Sequence, residues 1–215
     1  MNLIPGIIIL GAAGLAKEFF LYSRRAHPEF QEFYFVNDLD DGQTEIQIDN
    51  EIFPVIKDWK FEKNLPFIVA VGNPNIKQKL VEKALLSGLK PHKTIIDPSA
   101  LVLPGNQIGV GGLIAPGCIL TTNIKLGDYV TLNLNTTVGH DTTISDFCTT
   151  NPGVHISGQI EIGKFNEFGT GCIVRDRLKI GSHKTFGAQS AVVKNIESEE
   201  KSIWVGVPAS KMDRR

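Results

Sequence analysis

A left-handed parallel β-helix, preceded by a small α/β domain with a parallel sheet, is the fold class this sequence predicts. Two observations carry that expectation: an unbroken six-residue beat of apolar residues through the C-terminal half, and strands alternating with helices ahead of it. Every sixth residue reads Val102, Ile108, Ile114, Leu120, Leu126, Leu132, Val138, Ile144, Thr150, Ile156, Ile162, Phe168, Val174, Ile180, Phe186 and Val192, and only Thr150 is not apolar. A strict hexad is neither the helical nor the simple strand period. It marks a parallel β-helix whose wall turns a corner every six residues. Three hexads close one triangular coil, so residues eighteen apart stack, with coils roughly 4.8 Å apart. The segment holds about five coils. Equal hexads are the habit of left-handed solenoids, a departure from the right-handed crossover rule.

Each hexad has two inward slots, the beat itself and the position two before it. The second is small or aliphatic in most turns, as at Ala100, Gly112, Ile124, Val130, Val154 and Leu178. Cys118, Cys148 and Cys172 all fall in it and read as compact core fillers. Their spacings are multiples of six, not the short pairs that bind zinc. No disulfide framework is implied, which suits a reducing compartment. The position after the beat often holds glycine, as at Gly109, Gly127, Gly139, Gly163 and Gly181, where a tight corner with unusual backbone angles is expected.

The first ninety residues follow a different pattern. Ile7 to Leu10 predicts a buried strand, Gly11 to Gly14 a tight turn, and Leu15 to Arg25 a helix with Phe19 and Phe20 on its apolar side. Glu32 to Val36 predicts a second strand, Asn37 to Gly42 a turn, and Phe67 to Val71 a third strand. Asn73 reads as an N-cap with Pro74 at the first helical position. Ile76, Leu80, Ala84 and Leu85 mark one helical face, and Gly88 ends the helix. Such alternation predicts a small parallel sheet, whose ligands sit at the carboxyl ends of the strands. Those ends carry Gly11 to Gly14, Asn37–Asp38 and Gly72–Asn73. The GAAG turn suits either a phosphate at a helix N-terminus or close packing alone. Asp40 and Asp41 read as a solvated turn. The expected division is residues 1–93, 94–192 and a tail, 193–215.

The formal net charge of −1 gives no electrostatic footprint for nucleic acid. Gly6 to Leu10 is too short to span a membrane. No basic residue precedes it, so a signal peptide is not expected either. A soluble, cytoplasmic protein is the expectation.

Hexad walls expose little chemistry, so the polar cluster Asn133, Asn135, His140 and Asp141 stands out. His140 follows a corner and is expected to point outward. One coil on lies Gly158, whose missing side chain would open a slot beside the imidazole for a thin thioester arm. A neutral imidazole there can take a proton near physiological pH, with Asp141 orienting the ring. The alternative is an ordinary surface histidine. His155 and His183 occupy other slots and do not converge with His140, so no metal site is expected; His27 and His92 read as surface residues.

These residues carry a resemblance. The chain resembles the sugar O/N-acyltransferases of the sialic acid O-acetyltransferase (NeuD/PglD) family, within the hexapeptide acyltransferases. The motifs are IIILGAAGLAKE, FVNDLDDG, VAVGNPNIKQKL, IIDPSA, NLNTTVGHDTTISDF and the closing AVVKN and VGVPASKM. The resemblance implies an acetyl-CoA-dependent transferase that acylates an amino group on a nucleotide-linked sugar. It implies His140 as the base, Asp141 as its helper and Asn133 near the acceptor. The sugar nucleotide would be held by the N-terminal domain at Ala13, Gly14, Leu15, Asn37, Asp38 and Gly72. Acetyl-CoA would lie in a groove between two prisms near Gly158, Thr170 and Ala188. Lys194 suits either a phosphate contact or a solvated lysine. A homotrimer with sites between subunits is implied. The chain departs from the family pattern at Leu15 and Thr149, where a histidine is common, and at Asn37–Asp38, where the family has an acidic pair. The alternatives are O-acetylation of sialic acid or a polysaccharide sugar by the same machinery, and a non-catalytic β-helix scaffold.

Overall fold

The computed structural model describes residues 6–37, 42–59, 61 and 65–212. Asp38, Asp40 and Asp41, with their expected roles, lie outside the described residues. The N-terminal sheet runs β3-β4-β2-β1-β5-β6, with β1 at Gly6–Leu10, β2 at Glu32–Val36, β3 at Glu45–Ile48, β4 at Glu51–Ile56, β5 at Pro66–Val69 and β6 at Lys90–Pro91. β1 pairs in parallel with β2 and β5. The run Ile7 to Leu10 is wholly buried because the sheet is covered on both faces. Ile7 and Ile9 pack with Phe19 and Phe20 of α1 (Gly14–Ala26). Ile8 and Leu10 pack with Leu80, Val81 and Ala84 of α2 (Pro74–Leu86). Burying each phenylalanine contributes on the order of 2 kcal/mol.

Asn73 caps α2 as expected, its side chain accepting from the Asn75 and Ile76 N–H groups at 3.1 Å. The apolar face of α2 differs from the expected one. Ile76 and Leu85 are exposed, and the helix turns Lys77 and Val81 inward beside Leu80 and Ala84. The antiparallel pair β3–β4 was not expected either.

The hexads form a left-handed solenoid with three parallel walls. Wall I starts at Ile95–Ile96, one hexad earlier than the expected beat; wall II starts at Leu101–Val102 and wall III at Gln107–Ile108. They hold eight, six and five strands, the last pairing in wall I being antiparallel. Residues eighteen apart are in register, as in Leu101↔Ile119↔Thr137↔His155↔Ile173↔Ala191 along wall II. The beat residues from Ile114 to Val192 are buried, and the three cysteines are free and buried among them.

The tight corners are placed differently from expectation. The left-handed backbone falls three residues after the beat, at Asn123, Asp141, Gln159 and Arg177 on one edge and at Tyr129, Phe147, Phe165 and His183 on another. Glycine after the beat answers to crowding instead. A Cβ on Gly109 would sit 2.5 Å from the Gly127 carbonyl oxygen, and one on Gly139 would sit 2.6 Å from the Gly158 nitrogen. The next coil leaves no room for a side chain there.

The outward residues differ from wall to wall, and this decides what each wall meets. Wall III presents Gln107, Lys125, Glu161 and Lys179 to solvent, with Thr143 half-buried among them. Wall I presents Ile95, Leu113, Thr131 and Thr149, all buried. α1 packs against its first strand, and Arg25 pairs with buried Asp97 at 3.4 Å. Wall II leaves Leu101, Ile119 and Ile173 exposed at 52%, 39% and 51%. Among the described residues nothing covers them.

Candidate active site

His140 stands on the edge between walls II and III. Asp141 follows it with φ of 57°, a left-handed conformation that Asp tolerates better than most residues. That backbone turns the carboxylate back onto the ring, so Asp141 Oδ2 lies 2.7 Å from His140 Nδ1. The other carboxylate oxygen accepts from Asn123 Nδ2 at 3.2 Å. The hydrogen bond from His140, and then that from Asn123, holds the Asp141 carboxyl below its usual range. An ionised carboxylate only accepts, so the hydrogen-bond network assigns the proton to Nδ1 and leaves Nε2 with its lone pair.

Gly158 is the reason the ring can lie where it does. A Cβ there would come within 2.8 Å of Nε2 and 3.0 Å of Cδ2 and Cε1. The imidazole itself fills the space that was expected to stay open beside it. Gln159 N–H donates to the His140 carbonyl at 2.8 Å and fixes the two coils together. Nε2 has no hydrogen-bond partner among the described residues, and the imidazole is more than half exposed.

Other expected site residues separate. Asn133 and Asn135 lie on the edge between walls I and II, a wall strand away from His140, so the expected polar cluster divides in two. Asn133 is buried, its Oδ1 accepting from the Leu134 N–H at 2.7 Å. Thr170 and Ala188 are exposed on that same edge. Gly158 and Lys194 share the His140 edge, with Lys194 two coils beyond Gly158. Lys194 Nζ lies 5.7 Å from the Trp204 ring centre. One chain therefore presents the two halves of the expected acetyl-CoA site on the two edges that flank wall II. His155 bonds Thr137 on wall II at 2.9 Å. His183 ends an aromatic stack with Tyr129, Phe147 and Phe165, spaced 5.0, 5.1 and 4.8 Å. Neither meets His140.

At the carboxyl ends of the N-terminal strands lies a cavity of about 460 Å³, lined in part by Gly11, Ala13, Asn37, Gln43, Lys79 and Lys83. Gly11 has φ of 114°, and a Cβ on it would meet the Ala70 carbonyl oxygen at 3.0 Å. Asn37 is buried at the end of β2, its N–H donating to Ile56. Gln43 spans the cavity mouth, its amide donating to the Ala12 carbonyl at 2.8 Å. Gly14, Leu15 and Gly72 do not line the cavity. Gln43, Lys79 and Lys83 were not anticipated. The two lysines were legible only as members of a helix, and Gln43 enters through a turn with no periodic signal. Among the described residues no cluster of His, Cys, Asp and Glu is arranged to hold a metal, and no helix is long and apolar enough to cross a membrane.

Residues 6–84 match the PglD N-terminal domain family. A curated relative, GDP-perosamine N-acetyltransferase of Escherichia coli O157:H7, is 35% identical over 94 residues, which is 44% of this chain and 42% of that protein. The matched stretch thus spans less than half of that relative. Solved structures match throughout. The acetyltransferase domain of PglB from Neisseria gonorrhoeae is 28% identical with a TM-score of 0.84, covering 97% of this chain and 100% of that one. PerB from Caulobacter crescentus, in complex with CoA and GDP-perosamine, is 26% identical with a TM-score of 0.85, covering 98% and 99%. The resemblance carried by the motifs therefore extends through the whole fold.

Proposed function

We infer that this chain, an acyltransferase resembling the NeuD/PglD sugar-modifying group, transfers acetyl from acetyl-CoA to the amine of a nucleotide-linked amino sugar. The observation that carries this is the His140–Asp141 pair laid over Gly158, with Nε2 free at the protein surface. The amine attacks the thioester carbonyl and gives its proton to Nε2. The Asp141 carboxylate supports the imidazolium that forms. The CoA thiolate then leaves and takes that proton, which returns His140 to its starting state. The likeness to an N-acetyltransferase bound to CoA and a GDP-linked sugar supports this reading.

Ala13 and Asn37 would line the proposed sugar-nucleotide site, with Gly14, Leu15, Asp38 and Gly72 proposed to contribute from the same strand ends and Asn133 proposed to lie toward the acceptor. The cavity beside Ala13 and Asn37 supports that placement. Gly158, Thr170, Ala188 and Lys194 would border acetyl-CoA. Because they stand on two edges, a groove containing all four requires a second copy of the chain, and wall II, with exposed Leu101, Ile119 and Ile173 on either side of Thr137 and His155, is the surface such a copy would cover. A homotrimer closes that contact without leaving an open end. The free, buried cysteines suit the reducing cytoplasm, where the protein is proposed to work.

Two measurements test this. Light scattering on the purified chain is expected to give three copies. Ile173→Lys, a charge at an exposed apolar position of wall II, is expected to give a folded monomer with little transfer activity; a trimer that persists in this variant moves the interface elsewhere. Mass spectrometry of products from UDP-, dTDP- and GDP-linked amino sugars, with free sugars in parallel, is expected to show one acetyl on nitrogen. Acetyl found only on hydroxyls would replace this function with O-acetylation, and no transfer to any acceptor would favour the scaffold.

A further inference from the structure

We propose that Asn123 is a positioning residue for the transfer reaction: by holding the Asp141 carboxylate it keeps the proton of His140 on Nδ1 and the lone pair of Nε2 outward. This rests on His140 acting as the base, as argued above. Asn123 lies one coil before Asp141, with φ of 57° like its neighbour. Its Nδ2 donates to Asp141 Oδ1 at 3.2 Å, while Oδ2 is engaged by His140 at 2.7 Å. Asn123 is itself seated. Its amide oxygen lies toward Gly105, where an added Cβ would meet it at 3.4 Å, an ordinary contact, while Nδ2 faces Asp141. The Asp141 N–H also donates to the Thr122 carbonyl at 3.1 Å, so backbone and carboxylate are both anchored on the preceding coil.

The anchor matters because Asp141 is exposed. A surface carboxylate with one oxygen free turns readily into water, and His140 Nδ1 would then lose its acceptor. An untethered neutral imidazole distributes its proton over both nitrogens. Each molecule with the proton on Nε2 lacks the lone pair the reaction needs. The other charged groups around the pair are Lys125, which lines the cavity shared by Asn123 and Asp141, and the Asp176–Arg177 pair on the coil beyond Gly158.

Asn123→Gly removes the amide and keeps a residue at ease with positive φ. Asn123→Asp keeps the shape and sets a second carboxylate against Asp141. Nitrogen-15 NMR of the imidazole reads the proton position directly. In both variants the fraction with the proton on Nδ1 is expected to fall, and kcat to drop roughly fivefold to tenfold, the size of one lost hydrogen bond. KM for acetyl-CoA is expected to hold. Unchanged imidazole spectra in both variants, whatever their melting temperatures, would overturn the role of Asn123 while leaving the function intact. Near-normal turnover by His140→Ala would instead remove the function on which it rests.

Discussion

His140→Ala is expected to lower kcat by at least about a hundredfold, the ordinary size of a lost general base. The protein should remain folded, because the imidazole is largely exposed and its neighbours across the coil bond through backbone. Gly158→Ala is expected to act on the same atom from the other side. Its Cβ would fall 2.8 Å from Nε2, so the ring must swing out while both catalytic side chains remain. A displacement of about 1 Å can cost up to a hundredfold, so an intermediate loss of about tenfold is expected. Steady-state rates at saturating acetyl-CoA, with a melting curve for each variant, check both. Turnover in Gly158→Ala equal to wild type would mean that the ring is not held against this wall during transfer.

That Gly158 mattered was legible in the sequence because stacking in a solenoid is arithmetic: eighteen residues from His140 is the next coil. The same arithmetic places the three cysteines in the core, where they are buried. It was less informative for polar groups. Asn133 and His140 are near in sequence, yet a hexad separates their edges, so the polar residues between them divide into two groups. Glycine after the beat was read through backbone angles, whereas the cause is the approach of the next coil; only neighbours from another turn reveal that. The β3–β4 pair has a period of two in Glu45–Ile48, where Ile46 and Ile48 are buried, but the surrounding turn and charged residues masked it. Apolar character alone points to Ile76 and Leu85 as the inner face of α2, whereas the buried face includes Lys77. No local pattern marks a lysine whose partners are supplied by coils more than fifty residues away.

Lys77 is where the largest effect on stability is expected. Its ammonium is fully buried between α2 and wall I. Nζ donates to the Tyr129 carbonyl and Thr131 Oγ1 at 3.0 Å, to Thr149 Oγ1 at 2.8 Å and to the Cys148 carbonyl at 3.4 Å. It ties the N-terminal region to two successive coils. Lys77→Ala is expected to cost about 3–5 kcal/mol, since it empties the site and strips these oxygens of their donor. Lys77→Met keeps the volume and escapes the desolvation of a charge, so a loss of only about 1–2 kcal/mol is expected. The pH response separates charge from shape. Burial pushes the lysine down from 10.5 to about 7, against weaker opposing pulls from Cys148 and Glu167. Below about pH 7 it is protonated in both folded and unfolded chains and adds no slope. Between about 7 and 10.5 the unfolded chain keeps a proton that the folded chain has released. Wild-type stability should therefore gain from this group as pH rises, by up to about 1.4 kcal/mol per unit. In Lys77→Met that gain is expected to vanish. Urea unfolding of both proteins at several pH values across this window checks it, and parallel curves for the two would mean that Lys77 keeps its proton in the fold.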